Sequence, residues 1–297
     1  MTTRCGFAAI VGAPNAGKST LLNRLTGAKL SIVSPKAQTT RMRVLGVLMR
    51  GETQVLLVDT PGIFRPRRRL DRAMVAAAWS GATDADLVLL LVDARSGATE
   101  PVREIARTLG KRGGALWLVL NKVDLLAPAR LLPLTAELSG LAPFAETFMV
   151  SAANGDGLDR LLDRLAAAMP EGPYLYPPDE LTDLPDRLLA AELVREQIFL
   201  QTHEEVPYGA TVETESWRER PDGSVRVEAT IYVARPGHKA ILIGERGARI
   251  REIGARARSE LARLLDRKVH LFLNVKQRAG WDEEAARLRA IGLEDPP

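Results

Sequence analysis

The first 170 residues alternate two kinds of hydrophobic pattern. Short, nearly continuous apolar runs occur at "FAAIVG" (6–12), "QVLLVD" (54–59), "DLVLLLVD" (86–93), "ALWLVLN" (115–121) and "TFMVSA" (147–152). Such runs fit strands buried on both faces of a sheet. Between them, at 19–30, 70–83, 101–112 and 157–169, apolar residues recur at helical spacing. Strand and helix in alternation predict a parallel-sheet α/β domain, with its ligands at the carboxyl ends of the strands.

The pattern breaks at "PEGPYLYPPDELTDLPDR" (170–187), where prolines remove the backbone donors that continued structure needs. This predicts a domain at 1–170, a proline-rich linker at 171–187 and a second domain at 188–297. The second domain reads as a helix (188–202), then two alternating runs, "ATVETESWRER" and "SVRVEATIYVA". Pro221-Asp222-Gly223 joins them, a hairpin signal. A helix, a glycine loop, a further helix and the run "HLFLNVK" (270–276) complete it.

Charge sharpens this division. The net charge of +4 conceals +8 over residues 1–170, −9 over 171–234, +8 over 235–278 and −3 over the tail. The basic segment 235–278 contains the second glycine loop, and a local positive field attracts nucleic-acid phosphates. Cys5 is the sole cysteine, so no disulfide can close within the chain, which suits a reducing compartment. The N-terminus runs directly into a strand-like segment, so no signal peptide is expected. No apolar run approaches the roughly 18 residues of a membrane span.

Gly12-Ala13-Pro14-Asn15-Ala16-Gly17-Lys18-Ser19, with Thr20 beside it, follows a strand and opens the helix read at 19–30. This is the context in which G-x-x-x-x-G-K-[ST] wraps backbone N–H groups around phosphates. Lys18 reaches the β- and γ-phosphates and Ser19 holds Mg2+. Asp59-Thr60-Pro61-Gly62 ends the next strand, 41 residues beyond Lys18. Asp59 is expected to touch the Mg2+ shell through water, and the Gly62 N–H to sense a γ-phosphate. Asn121-Lys122-Val123-Asp124 follows a later strand. Its carboxylate can accept from guanine N1–H and N2–H2, a donor pair adenine lacks, which discriminates on the order of 10⁴-fold. Lys122 would lie along the base. Ser151, Ala152 and Ala153 follow the last run and offer a backbone N–H to the guanine carbonyl. A small-molecule kinase is disfavoured, because no acceptor site is evident.

These stations resemble the GTPase superfamily of translation and ribosome-assembly factors. By that resemblance, segment 31–44 is the mobile loop that closes on Mg2+ and γ-phosphate. Thr39 and Thr40 are both available; Thr40, followed by Arg41, is favoured. Ile63 stands where related proteins carry a water-orienting glutamine, so unassisted hydrolysis is expected to be slow. Similarity to GTPases with an apolar residue there suggests K+ as an aid, with Asn15 as its ligand. Lys18, Thr40 and Asn15 are thus the catalytic candidates. The basic run "FRPRRRL" (64–70) reads as a solvated face.

Gly244-Glu245-Arg246-Gly247 lacks the Lys-Ser pair, so it is no second triphosphate site. With Ile250 and Ile253 facing inward from the following helix, it resembles a KH domain, whose GxxG loop clamps the backbone of about four single-stranded nucleotides. Lys239, Arg246 and Arg249 would supply charge. Ile241, Ile243 and Ile250 would form the apolar flank, beside Gly244, Glu245 and Gly247. A GTPase followed by a type II KH domain, with "SPKAQTTR", "IGERGARIREIG" and "VKQRAGW", resembles the Era family. That resemblance implies a P-loop GTPase domain with a mostly parallel sheet, then an α+β type II KH domain. It implies GTP or GDP with Mg2+, binding to the 3′ end of 16S rRNA, and a role in 30S subunit assembly. It further implies a cytoplasmic monomer with peripheral inner-membrane association and no DNA partner. Two rivals are an RNA-binding module whose GTP site is structural and a signalling GTPase whose GxxG turn is structural.

Overall fold

The computed structural model describes residues 2–294; the expected domain limits at 1 and 297 lie outside them. The first domain is built on a six-stranded sheet. Its strands are β1 (Arg4–Val11), β2 (Val44–Arg50), β3 (Thr53–Asp59), β4 (Leu87–Asp93), β5 (Ala115–Asn121) and β6 (Glu146–Met149), in the order β2-β3-β1-β4-β5-β6. All neighbours run parallel except β2, which pairs antiparallel with β3. Helices α1 (Lys18–Thr26) and α5 (Leu158–Ala168) cover one face through Leu21, Leu22, Leu161 and Leu165. Helices α2 (Arg69–Asp84), α3 (Glu100–Arg112) and α4 (Leu131–Ser139) cover the other, where Ala78, Ile105 and Leu138 are buried. Burial on both faces is what the continuous apolar runs require.

Within the first domain the expectations and the structure differ chiefly at three places. The strand β2 lies where the mobile-loop reading ended at residue 44; its apolar run and the turn at Gly51 carried the signal. Helix α1 stops at Thr26 rather than 30, because Gly27 takes a left-handed conformation (φ 69°) that ends the helix. Helix α4 was not expected: "LLPLTAELS" buries only Leu131, Leu134 and Leu138, and its Pro133 masks the period.

The second domain has a three-stranded sheet, β7 (Ala210–Glu219), β8 (Val225–Val233) and β9 (Val269–Gln277). Strands β7 and β8 form the expected antiparallel pair, and β9 joins β8 in parallel. Helices α6 (Asp186–Gln201), α7 (Pro236–Ile243) and α8 (Ala248–Leu264) pack on one face through Val194, Ile198, Leu242, Ile253 and Ala257. A short C-terminal helix, α9 (Ala285–Ala290), reaches back to the first domain. There Trp281, Leu288, Ile291 and Leu293 form one cluster with Leu70, Ala73 and Met74 of α2.

The proline-rich segment is docked. The buried Gln54 side chain accepts from the N–H groups of Leu175 (2.9 Å) and Tyr176 (3.1 Å) and donates to the Tyr176 carbonyl (2.8 Å). Val47 N–H donates to the Leu181 carbonyl (2.9 Å), so the segment also satisfies the β2 edge.

Candidate functional site

The first glycine loop lies between β1 and α1, at the carboxyl ends of the strands. Asn15 (φ 63°) and Gly17 (φ 97°) turn the backbone. Only glycine fits at 17, since a Cβ would stand 2.3 Å from Asn121 Nδ2. Lys18 is buried, and its ammonium donates to the carbonyls of Gly12 (3.3 Å) and Ala13 (3.1 Å). Burial lowers its pKa to about 8, against the raising influence of Asp59. A phosphate at the loop would restore the charge that burial opposes.

Asp59, at the end of β3, is fully buried. Its Oδ2 accepts from Ser19 Oγ (2.7 Å) and Ser31 Oγ (2.8 Å), while Oδ1 has no hydrogen-bond partner in the protein. Burial raises its pKa, opposed by Lys18 and by the hydroxyls of Ser19, Ser31 and Thr40. Thr40 Oγ1 lies 2.8 Å from Ser19 Oγ, whereas Thr39 Oγ1 turns away to the Lys36 carbonyl (2.8 Å). Two hydroxyls and an orphaned carboxylate oxygen at one point form a hard-oxygen donor set suited to Mg2+. Thr60 Oγ1 donates to the Ile10 carbonyl (2.8 Å), which fixes the turn through Pro61. At Gly62 a Cβ would meet Pro14 Cα at 2.9 Å, so the two loops touch. Ile63 is buried in the sheet's core and its N–H donates to the Gly12 carbonyl (3.1 Å).

The Asn121–Asp124 station divides its roles. The buried Asn121 side chain donates to the Ala16 carbonyl (2.8 Å) and accepts from Ala152 N–H (3.0 Å). It therefore ties the glycine loop to Ser151 and Ala152. Lys122, left-handed at φ 64°, donates to the Asn15 carbonyl (2.7 Å) and to Asp93 Oδ2 (2.8 Å). Asp124 is exposed in a 3-10 turn, Val123–Leu125, with its carboxylate open to a ligand. Ser151 is buried, and Ala153 is exposed. Thr20 lines the same cleft as Asn15 and Ser19, about 840 Å3 with its open mouth included.

The sequence reading missed Ser31 and Asp93. For Asp93 burial acts to raise the pKa, but Lys122 and the Arg95 N–H outweigh it, and the carboxyl sits below its usual range. The signal was available, because "LLLVD" ends β4 as "LLVD" ends β3. Ser31 carried no signal, since only the tertiary fold brings it to Asp59.

The second glycine loop caps α7. Gly244 (φ 69°), Arg246 (φ 49°) and Gly247 (φ 77°) form a tight turn into α8. Glu245, Arg246 and Lys239 are exposed, as is Ile241. Ile243 and Ile250 instead pack partly against the domain core. Arg249 is committed elsewhere: its guanidinium donates to the Gln201 carbonyl (2.6 Å). The loop thus presents its backbone, Arg246 and Lys239 outward, while the other flank residues support it.

The mobile-loop segment runs into the second domain. Arg41 is buried, donates to the carbonyls of Ala210 (2.9 Å) and Pro207 (3.4 Å), and stacks on Trp281 at 5.2 Å. Burial, then the neighbouring Arg195, lowers its pKa to about 9.

Comparison with known proteins gives the same division. Residues 7–122 match the family described as 50S ribosome-binding GTPase, and residues 205–282 match the KH domain. GTPase Era of Afipia carboxidovorans is 54% identical over 294 residues, covering 99% of this chain and 96% of that protein. GTPase Era of Dinoroseobacter shibae is 53% identical over 295 residues, covering 98% and 96%. A crystal structure of an Aquifex aeolicus Era variant bound to GDP.AlF4- superposes with a TM-score of 0.93, at 40% identity over 98% of this chain and 99% of that one. Era in complex with MgGDPNP and nucleotides 1506–1542 of 16S ribosomal RNA gives a TM-score of 0.93 at 41% identity, with the same coverage. With relatives of this identity along nearly its whole length, the chain belongs to the Era family of GTPases.

Proposed function

We propose that this protein is a GTP-hydrolysing switch that binds the 3′ end of 16S rRNA through its KH domain and assists assembly of the 30S subunit. The observation that carries the reading is one chain holding a cleft with the full GTPase donor set beside an exposed GxxG turn. A family member of the same architecture was solved with MgGDPNP and that RNA.

In this reading residues Gly12–Thr20 cradle the phosphates, and Lys18 offsets charge on the β- and γ-oxygens. Ser19 and Thr40 would hold Mg2+, with Asp59 beside them, and the ion would supply neutralisation of phosphate charge. Thr60, Pro61 and Gly62 form the γ-phosphate sensor. Asp124 reads the guanine edge, while Asn121, Lys122 and the Ser151–Ala153 turn hold it in register. Ile63 is buried and offers no polar atom to an attacking water, so hydrolysis depends on a stimulus. Asn15, exposed at the cleft mouth, is the proposed K+ ligand. Lys239, Ile241, Gly244, Glu245, Arg246 and Gly247 contact RNA, with Ile243, Arg249 and Ile250 shaping the loop. The domain limits 1–170, 171–187 and 188–297 belong to the same reading. Cytoplasmic location and peripheral inner-membrane association rest on family resemblance alone. Among the described residues no helix is long and apolar enough to cross a membrane.

The test is GTP hydrolysis in K+ buffer, with and without a short single-stranded RNA from the 3′ end of 16S rRNA. RNA is expected to stimulate turnover, and a Glu245→Asp/Arg246→Asp double variant to lose the stimulation. Replacing K+ by Na+ is expected to slow the reaction. Turnover indifferent to RNA would reduce the molecule to a GTPase and a KH domain merely joined.

A further inference from the structure

The carboxyl end of α6 is held by two cations that come from opposite functional loops. A helix leaves its last carbonyls without intrahelical partners and gathers negative partial charge there. In α6 the Ile198 carbonyl is taken locally, by Thr202 N–H (3.0 Å) and Thr202 Oγ1 (2.6 Å). The carbonyls of Phe199 and Thr202 accept from the ammonium of Lys36, which belongs to the mobile segment of the GTPase domain. The Gln201 carbonyl, between them, accepts from Arg249 of the KH domain at 2.6 Å. Gln201 Oε1, on the same turn, is buried without a partner.

Each cation leads directly to a functional loop. Lys36 precedes Thr40 by four residues, and Thr39 Oγ1 closes the interval by donating to the Lys36 carbonyl (2.8 Å). Thr40 in turn touches Ser19. On the other side, the Arg249 stem packs on the GxxG turn: a Cβ at Gly244 would stand 2.8 Å from Arg249 Cβ. The α6 helix is also gripped one turn earlier, where Glu196 accepts from Val33 N–H of the mobile segment (3.0 Å) and from Lys29 Nζ just before it (2.7 Å). From Ser19 to Gly244 the path consists of hydrogen bonds, one packed contact and short stretches of the chain itself.

We infer that the last turn of α6 couples the two loops, with Lys36 as the positioning residue that makes the occupancy of its carbonyls depend on nucleotide. This deepens the proposed function and rests on it. Thr40 stands at Ser19 while Lys36 holds the α6 carbonyls; when loss of the metal and γ-phosphate releases Thr40, Lys36 leaves with its segment. Withdrawing one of two like charges from a helix end strengthens the hold on the other, here Arg249 and the glycine turn behind it. Coupling of this kind is reciprocal: RNA that shifts Arg249 alters the hold on Lys36 by the same free energy.

The test measures binding of a fluorescent oligoribonucleotide from the 3′ end of 16S rRNA to the full chain, with GDP and with GDPNP. The wild type is expected to show affinities that differ by at least about fivefold between the two nucleotides. Lys36→Gln removes the charge and shortens the side chain by one atom. It is expected to bring that ratio close to one while leaving GDP affinity unchanged, with a modest fall in melting temperature from the two lost hydrogen bonds. Lys36→Arg, which can still donate to the same carbonyls, is expected to restore the ratio. A Lys36→Gln protein that keeps the wild-type ratio overturns the α6 mechanism and leaves the switch reading standing. Failure of Lys36→Arg to restore it also overturns the mechanism. A wild-type ratio of one overturns the switch reading itself, and the mechanism with it.

Discussion

The two glycine loops of this protein differ in what surrounds them. Gly12–Ser19 is enclosed: Asn121 and Lys122 bond its carbonyls, Pro14 touches Gly62, and Lys18 is buried beneath it. Gly244–Gly247 is open, with Glu245 and Arg246 exposed and nothing within 4 Å of a Cβ placed on Gly247. The contrast matches the ligands. A triphosphate is compact and highly charged, so its cradle gains from donors fixed before the ligand arrives. A single strand is long and must thread past its loop, so access matters more than enclosure.

Removing the charge inside the enclosed loop is expected to give the largest effect. Lys18→Ala should lower GTP turnover by about 10²–10³-fold. RNA affinity measured without nucleotide should stay unchanged, because the second loop has its own support. Loss of both activities in steady-state hydrolysis and anisotropy assays would mean that the loops are not separable.

The glycines themselves offer a direct contrast. Gly17→Ala must hold a left-handed backbone and displace Asn121, whose two hydrogen bonds join three segments. The expected cost is roughly 3–4 kcal/mol, about 1–2 for the backbone and about 1 for each bond. Gly247→Ala meets no neighbour, so only the backbone contribution of about 1–2 kcal/mol remains. Urea unfolding of the two variants measures the difference. Equal costs would show that the enclosure of the first loop contributes little to stability.

A smaller effect comes from pH. Lys18 has a pKa of about 8 without nucleotide, and bound phosphates raise it. Binding therefore uses the ammonium form. Affinity for GDP is fully present below about pH 8 and falls as pH rises through that value. Between pH 7 and 8.5 the loss should be roughly fourfold, with a proton taken up on binding at the upper end. Calorimetry in buffers of different ionisation enthalpy reads both quantities. The open loop has no buried lysine, so RNA affinity should not follow the same curve.

The site motifs were legible because each is local. A phosphate loop must follow a strand and open a helix, so Gly12–Thr20 declares itself in eight or nine consecutive residues. Asp59 and Asn121–Asp124 are equally compact, and the GxxG turn was read from one strand of sequence. Roles that need distant partners were another matter. Asn121 was read only as part of the nucleotide station, and its side chain bonds Ala16 and Ala152. Arg249 was expected at RNA, yet it donates to Gln201. The proline-rich linker read from the sequence is docked, because Gln54 and the β2 edge hold it in place.

By itself the sequence determined most of the order of elements (strand β2 and helix α4 excepted), the two-domain plan and the chemistry of each loop, because periodicity and loop motifs act over a few residues. The tertiary structure alone decided which threonine faces Ser19, which carboxylate holds Lys122, and where Lys36 and Arg41 go. Those choices depend on contacts between residues far apart in the chain, such as Lys36 with Thr202 or Arg41 with Trp281. Burial then set the electrostatics, for Lys18 and Asp59 take their shifted pKa values from the packing around them rather than from their neighbours in sequence.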